Sequence, residues 1–133
     1  MDVDPALVCY LIIKAREFDA KVAPVEPDPG SNPGDEQMRE VLEDYSDDPV
    51  VEEITAAVES LNVDQQCDLV ALAWLGRGDE DAKAWDELLA SARERHNEHT
   101  AEYLLGMPML GDYLEEGLAA LGYSCDEMEK QHL

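Results

Sequence analysis

Apolar side chains recur every three or four residues along most of this 133-residue chain, and this spacing constrains the fold more than any other feature. The first such segment follows Asp4-Pro5, where aspartate can cap the free N–H groups of a helix and proline fits its first position. The apolar stripe of this segment consists of Val8, Leu11, Ile12, Ala15, Phe18 and Val22. No segment shows the alternation typical of a strand, so the sequence predicts an all-α fold.

A central helix is predicted from Leu69 to Leu75, where every residue is apolar and a helix would be buried on most sides. Asp64 is expected to cap its start, and Gly76 to end it. The run is too short to cross a bilayer. We therefore predict one domain, residues 1–133, folded as a bundle of five to six helices around this segment.

The remaining helices are predicted from their start and stop signals. One begins near Asp35 and one at Asp48-Pro49, a long one runs from Asp79 or Glu80 to Gly106 with a kink near Asn97, and the last runs from Leu110 to Gly122. The loop at residues 23–34 is rich in proline and glycine, which excludes a helix there. Residues 123–133 are expected to form a frayed tail.

The chain is strongly acidic, with 32 Asp and Glu against 9 Lys and Arg and a net charge of -23. This charge disfavours nucleic acid and membrane surfaces as partners, because both are anionic, and it favours a basic protein. The predicted acidic interaction surface lies on the helix near Asp35 and consists of Glu36, Glu40, Glu43 and Asp44. An alternative role for such a surface is mimicry of nucleic-acid charge.

The broad apolar face of the first helix, residues 5–22, predicts self-association as a further interaction. Leu7, Tyr10 and Ile13 widen its apolar face beyond what one core contact needs, so the helix is either central or shared in a homo-oligomer.

The N-terminus carries acids where a secretory signal peptide carries positive charge, which predicts a cytoplasmic protein. Its three cysteines, Cys9, Cys67 and Cys125, are odd in number and widely spaced. We expect all three to be reduced thiols.

Two histidines, His96 and His99, stand three residues apart where the stripe that begins at Trp85 continues along the long helix. They are therefore predicted to point inward, with hydrogen bonds to a carboxylate or a backbone carbonyl. Two functional interpretations stay open. His96, His99 and Glu102 are the candidate metal ligands, although zinc sites on one helix usually place histidines four apart. Acid–base catalysis is the other interpretation.

Arg77 is an isolated base between two glycines, directly after the buried central helix. With Asp79, His96 and Asn97 it forms the predicted set of ligand or partner residues. The alternative is structural, because an arginine at this position often binds helix-end carbonyls or a neighbouring carboxylate.

Four stretches together resemble a bacterial family of small acidic helical proteins that is known as a domain of unknown function. They are LIIKAREFD (Leu11 to Asp19), DPGSN (Asp28 to Asn32), DLVALAWLGRGD (Asp68 to Asp79) and HNEHTAEYLLGMPMLGDYLEEGL (His96 to Leu118). The resemblance implies no activity and no catalytic residue. It implies an H-N-x-x-T pattern over His96, Asn97 and Thr100, which leaves His99 at an open position and argues against a paired-histidine metal site.

These observations favour a non-enzymatic protein-interaction module without a cofactor. The alternative is a metal- or small-ligand-dependent enzyme that uses His96 with Arg77, Asp79 or Glu102.

Overall fold

The computed structural model describes residues 1–21 and 48–125, and this part of the chain is helical throughout its regular structure. Six α-helices follow one another, with a short 3₁₀-helix at Ala82–Ala84. The helices are α1 (Pro5–Lys21), α2 (Pro49–Glu59), α3 (Val63–Arg77), α4 (Trp85–Arg95), α5 (Thr100–Leu105) and α6 (Leu110–Ala120). The prediction of an all-α bundle is confirmed. The helix predicted near Asp35 lies outside the described residues.

Helix α3 forms the centre of the bundle, as the apolar run predicted. Leu69, Ala71, Leu72 and Ala73 have no exposed surface. Helix α3 packs against α4 and α6, while α1 packs against α2 and α6. The stripe of α1 from Val8 to Phe18 is buried, and α6 contacts both α1 and α3.

Two glycines let α3 and α6 approach backbone to backbone. A Cβ atom on Gly76 would overlap the carbonyl of Tyr113, and one on Gly117 would overlap the carbonyl of Leu72. The prediction that Gly76 ends the central helix is therefore wrong, because the glycine serves helix packing instead. The helix ends at Arg77, and Gly78 follows in the left-handed conformation with φ 94°.

The helix starts follow local capping chemistry. Asp48 caps α2 as predicted, and its carboxylate accepts a hydrogen bond from the Val50 N–H at 2.8 Å. The cap of α3 is Asn62 rather than Asp64. The Asn62 side chain accepts from the Gln65 N–H at 2.8 Å, while the Gln65 side chain accepts from the Asn62 N–H at 3.0 Å. This reciprocal pair satisfies two backbone donors, whereas Asp64, two residues later, already lies inside the helix.

The long helix predicted from Asp79 or Glu80 to Gly106 is interrupted at residues 96–99. His96 adopts an extended backbone conformation, with φ -61° and ψ 135°. The Asn97 side chain then accepts a hydrogen bond from the His99 N–H at 2.8 Å. Asparagine competes in this way with the hydrogen bonds of a helix, so α4 ends and α5 begins anew.

The interruption overturns the predicted orientation of His99. His96 is half-buried, but His99 is exposed, and so is Tyr103 in the following helix. The stripe from Trp85 therefore does not continue along one inward row, because α5 starts with a different rotation.

A disulfide bond joins Cys9 in α1 to Cys125 after α6, with the two Cα atoms 5.6 Å apart. The expectation of three reduced thiols is wrong for this pair, because sequence spacing does not report distances between packed elements. Cys67 is free and buried in α3, and burial raises the pKa of its thiol.

Within residues 1–21 and 48–125, no helix combines the length and apolarity that crossing a membrane requires.

Candidate functional site

A polar cleft opens between the C-terminal end of α3 and one face of α4. Its volume is about 240 Å³. The residues that line it are Trp74, Arg77, Asp79, Glu80, Glu87, Leu88, Ser91 and Arg95. Two of the predicted site residues, Arg77 and Asp79, are among them.

Trp74 gives the cleft a fixed aromatic wall. Its side chain is 5% exposed, and its indole Nε1–H donates a hydrogen bond to the Tyr103 hydroxyl at 2.8 Å. The guanidinium of Arg95 lies over the ring, with Cζ 5.7 Å from the ring centroid. This is a cation–π contact, which holds a positive charge at one end of the cleft.

Arg77 and Asp79 form a bidentate ion pair at the end of α3. Arg77 Nε lies 3.0 Å from Asp79 Oδ1, and Nη2 lies 2.6 Å from Oδ2. Hydrogen bonding from the guanidinium lowers the pKa of Asp79, and the same bonds raise the pKa of Arg77. The structural interpretation of Arg77, a bond to a neighbouring carboxylate, therefore describes its contact. The pair contributes no net charge to the cleft.

Helix α4 presents Glu87, Ser91 and Arg95 along one face of the cleft. Their spacing of four residues stacks them on the same side of the helix, over about 12 Å from the first to the last. None of these three side chains, nor that of Glu80, makes an ion pair or a hydrogen bond within the described part of the chain. The cleft thus offers unpaired polar groups at both ends.

Arg95 differs from most bases in the described ranges because it forms no ion pair with a described carboxylate. Of the seven Lys and Arg residues in the described ranges, five form ion pairs with Asp or Glu. These five are Lys14, Arg16, Lys21, Arg77 and Arg93. Among the described residues, Arg95 has only the ring of Trp74 as a partner, although the sequence carries a large acidic surplus.

His96 lies directly after the cleft and is held by Gln66. The Gln66 side-chain Nε2 donates to the backbone carbonyls of Val58 at 3.0 Å and Leu61 at 3.3 Å. Its Oε1 therefore faces His96, whose Nε2 lies 2.7 Å away. Because an oxygen acceptor requires a donor, Nε2 of His96 donates in this contact. This nitrogen is engaged as a donor, so it is unavailable as a metal ligand or a base while the pair persists.

The other candidate metal ligands lie apart from this pair. His99 is exposed, and its Nδ1 is 3.5 Å from Glu102 Oε2. Among the residues that the structure describes, no three His, Cys, Asp or Glu side chains gather as a metal would require. Asn97 lies in the turn between α4 and α5, where its side chain accepts from the His99 N–H. The Thr100 hydroxyl donates to the Asn97 carbonyl at 3.2 Å.

The acidic residues Glu36, Glu40, Glu43 and Asp44 lie outside the described residues, so their predicted surface stays a prediction.

Sequence reasoning did not single out Glu80, Glu87, Ser91 or Arg95. The available signal was the repeat of polar residues at steps of four along α4, opposite the apolar stripe. Such a repeat is also typical of an ordinary solvated helix face, and only the packing of α4 against α3 makes it a cleft wall.

The fold and the cleft define a small all-α protein with a net charge of -23 and a polar cleft beside its central helix. Residues 51–123, more than half of the chain, match the family described as "Protein of unknown function (DUF3775)", and the chain belongs to this family. The match runs from α2 to the turn after α6 and contains the whole cleft. No curated protein and no solved structure matches the chain.

Proposed function

We propose that this protein is a non-enzymatic interaction module that binds a basic protein through its acidic surface. The observation that carries the proposal is the distribution of charge. Most bases in the described ranges are already neutralised by carboxylates, so most of the acidic residues in these ranges have no Lys or Arg partner among the described residues.

Several exposed carboxylates in the described ranges have neither an ion pair nor a hydrogen bond with the described residues. They are Glu52, Glu59, Glu94, Glu98 and Glu116. Unpaired surface charges of one sign attract an oppositely charged protein over a Debye length and raise the rate of association. The predicted surface at Glu36, Glu40, Glu43 and Asp44 concentrates this charge further in sequence.

The proposal is tested by affinity capture at low salt, followed by titration of the captured partner. Neutralising Glu36, Glu40 and Glu43 to Gln and Asp44 to Asn should weaken binding and reduce its dependence on salt. The matched control neutralises Glu52, Glu59, Glu94 and Glu116 to Gln, which removes the same number of charges from the general acidic background and should weaken binding less. Equal losses in both variants, or binding that does not respond to salt, would contradict the proposed surface.

Self-association through α1 is a second candidate, favoured by two apolar side chains on its outer face. Tyr10 is 39% exposed and Ile13 is 44% exposed, one helical turn apart. If a second copy covers this face, Ile13→Glu should shift the protein to the monomer in sedimentation experiments, while Val63→Glu at an exposed site on α3 should not. A wild-type protein that is monomeric at all concentrations would contradict this role.

The enzyme alternative has less support. His96 donates to Gln66, and the cleft groups Arg77 and Asp79 are committed to each other. Arg77 or Asp79 would have to leave their ion pair to act on a substrate, and His96 would have to act through its other ring nitrogen, Nδ1.

A further inference from the structure

The two ends of the cleft carry unpaired charges of opposite sign. Glu87 lies in the first turn of α4 and Glu80 lies just before the 3₁₀-helix. Arg95 lies at the other end of α4. Because Arg77 and Asp79 neutralise each other, the charges that remain for a ligand are two carboxylates and one guanidinium.

The walls between these charges suit a short aliphatic chain. Trp74 and Leu88 supply apolar surface, and Ser91 supplies a hydroxyl midway along the α4 face. The volume of about 240 Å³ is smaller than the roughly 300–1,000 Å³ of pockets for drug-sized ligands. An occupant therefore has the size of a single amino acid.

The charges of the ligand should lie apart rather than on neighbouring atoms. Glu87 and Arg95 are about two helical turns from each other, so one compact ion would contact only one of them. A molecule with a cationic nitrogen at one end and a carboxylate at the other would contact both. Its carboxylate would meet the planar donors of Arg95, which are suited to two parallel hydrogen bonds.

We propose that this cleft binds a basic amino acid, either free or as the C-terminal residue of a peptide. The ammonium or guanidinium lies at Glu80 and Glu87, the aliphatic stem lies against Trp74 and Leu88, and the carboxylate lies at Arg95. This binding does not depend on the proposed acidic surface, because it uses different residues.

The test is an NMR titration of the full chain with L-lysine, followed through the indole Nε1–H of Trp74. Two analogues separate the recognised groups: cadaverine lacks the carboxylate of lysine, and norleucine lacks its terminal ammonium. We expect each analogue to bind about tenfold more weakly than lysine, since each loses one charge-assisted contact.

Variants at the two ends assign each contact. Arg95→Gln should abolish the preference for lysine over cadaverine, and Glu87→Gln should reduce the preference for lysine over norleucine. The matched controls are Arg93→Gln, on α4 but outside the cleft, and Glu59→Gln on α2. Both should bind lysine as the wild type does, and circular dichroism checks that all four variants fold.

Three results would overturn the proposal: no shift of the Trp74 indole with lysine, equal affinity for lysine and both analogues, or equal losses in the cleft and control variants.

Comparison of lysine with N-acetyl-glycyl-lysine then distinguishes a free amino acid from a peptide C-terminus as the ligand. Tighter binding of the free amino acid assigns a metabolite site, and tighter binding of the peptide assigns a site for a chain terminus. A pull-down partner lost with the acidic-surface variants but kept by Arg95→Gln would show that the two sites act separately.

Discussion

At the scale of single residues, Asp68 shows how one buried carboxylate fixes the start of the chain. Its side chain is 3% exposed, and Oδ2 accepts hydrogen bonds from the backbone N–H groups of Asp2 at 2.6 Å and Val3 at 3.0 Å. Val3 is buried beside it, with 1% of its surface exposed. The carboxylate therefore accepts hydrogen bonds from two backbone N–H groups that precede α1 and have no partner within a helix.

We predict that Asp68→Ala lowers the free energy of unfolding by about 2 kcal/mol, because it removes a charged acceptor and leaves a buried N–H group unpaired. Urea denaturation followed by circular dichroism measures the change. Asp64→Ala, on the exposed side of the same helix, is the control and should cost under about 1 kcal/mol, as its contact with Arg93 is exposed. Equal effects of the two substitutions would contradict this role of Asp68.

Asp79 provides a prediction about pH. Arg77 lowers the pKa of this carboxyl in the folded state below its ordinary value of 3.8. A lowered folded pKa means that the pair stabilises the fold above the ordinary pKa, and that this contribution is lost as pH falls through the lowered value. In Arg77→Gln the pKa of Asp79 should rise toward 3.8. Titration of the Asp79 side-chain carbon by NMR measures it, and an unchanged pKa in the variant would show that another group holds the carboxylate.

Contacts within the site could be predicted only between residues that are close in sequence. Arg77 and Asp79 are two positions apart, and their pairing follows from the turn between them. Gln66 could not be assigned to His96, since the two are thirty positions apart in sequence and meet only through the packing of α3 against α4.

At the scale of helices, the close contact between α3 and α6 depends on glycines. Gly76→Ala and Gly117→Ala each place a Cβ against a backbone carbonyl of the opposite helix. We predict that each lowers the free energy of unfolding by about 1–3 kcal/mol, even though alanine favours a helix by about 1 kcal/mol over glycine.

Gly111→Ala is the matched control within α6. Its Cβ would meet the flexible side chain of Arg16 at 3.0 Å and the Ile12 carbonyl at 3.1 Å, so smaller shifts accommodate it. Thermal unfolding ranks the three variants, and an effect of Gly111→Ala as large as the other two would contradict a specific backbone contact of α3 with α6.

The helices themselves were largely predictable because their start signals and apolar stripes are local. The break between α4 and α5 was not, since Asn97 forms a turn with His99 within an otherwise helical pattern. The position of Gly76 inside α3, against the backbone of α6, was not predicted either. A glycine that ends a helix and one that permits close packing look alike in sequence, and only the partner helix distinguishes them.

At the scale of the whole molecule, the bond between Cys9 and Cys125 connects the first helix to the segment after the last. It spans 116 positions in sequence. Chain entropy predicts a stabilisation of up to about 5 kcal/mol for a loop of this length. We predict that Cys125→Ser, or reduction of the wild type, lowers the midpoint of denaturation strongly. Reducing agent should then have no further effect on Cys125→Ser, and a response of that variant to reductant would contradict the assignment.

The same bond makes most of the polypeptide a covalent ring. A protease that cuts one peptide bond anywhere between the two cysteines opens the ring but releases no fragment. The nicked molecule should run as a single band on a non-reducing gel and as two bands after the disulfide is reduced. Proteolytic cleavage within this ring would therefore go undetected without a reductant.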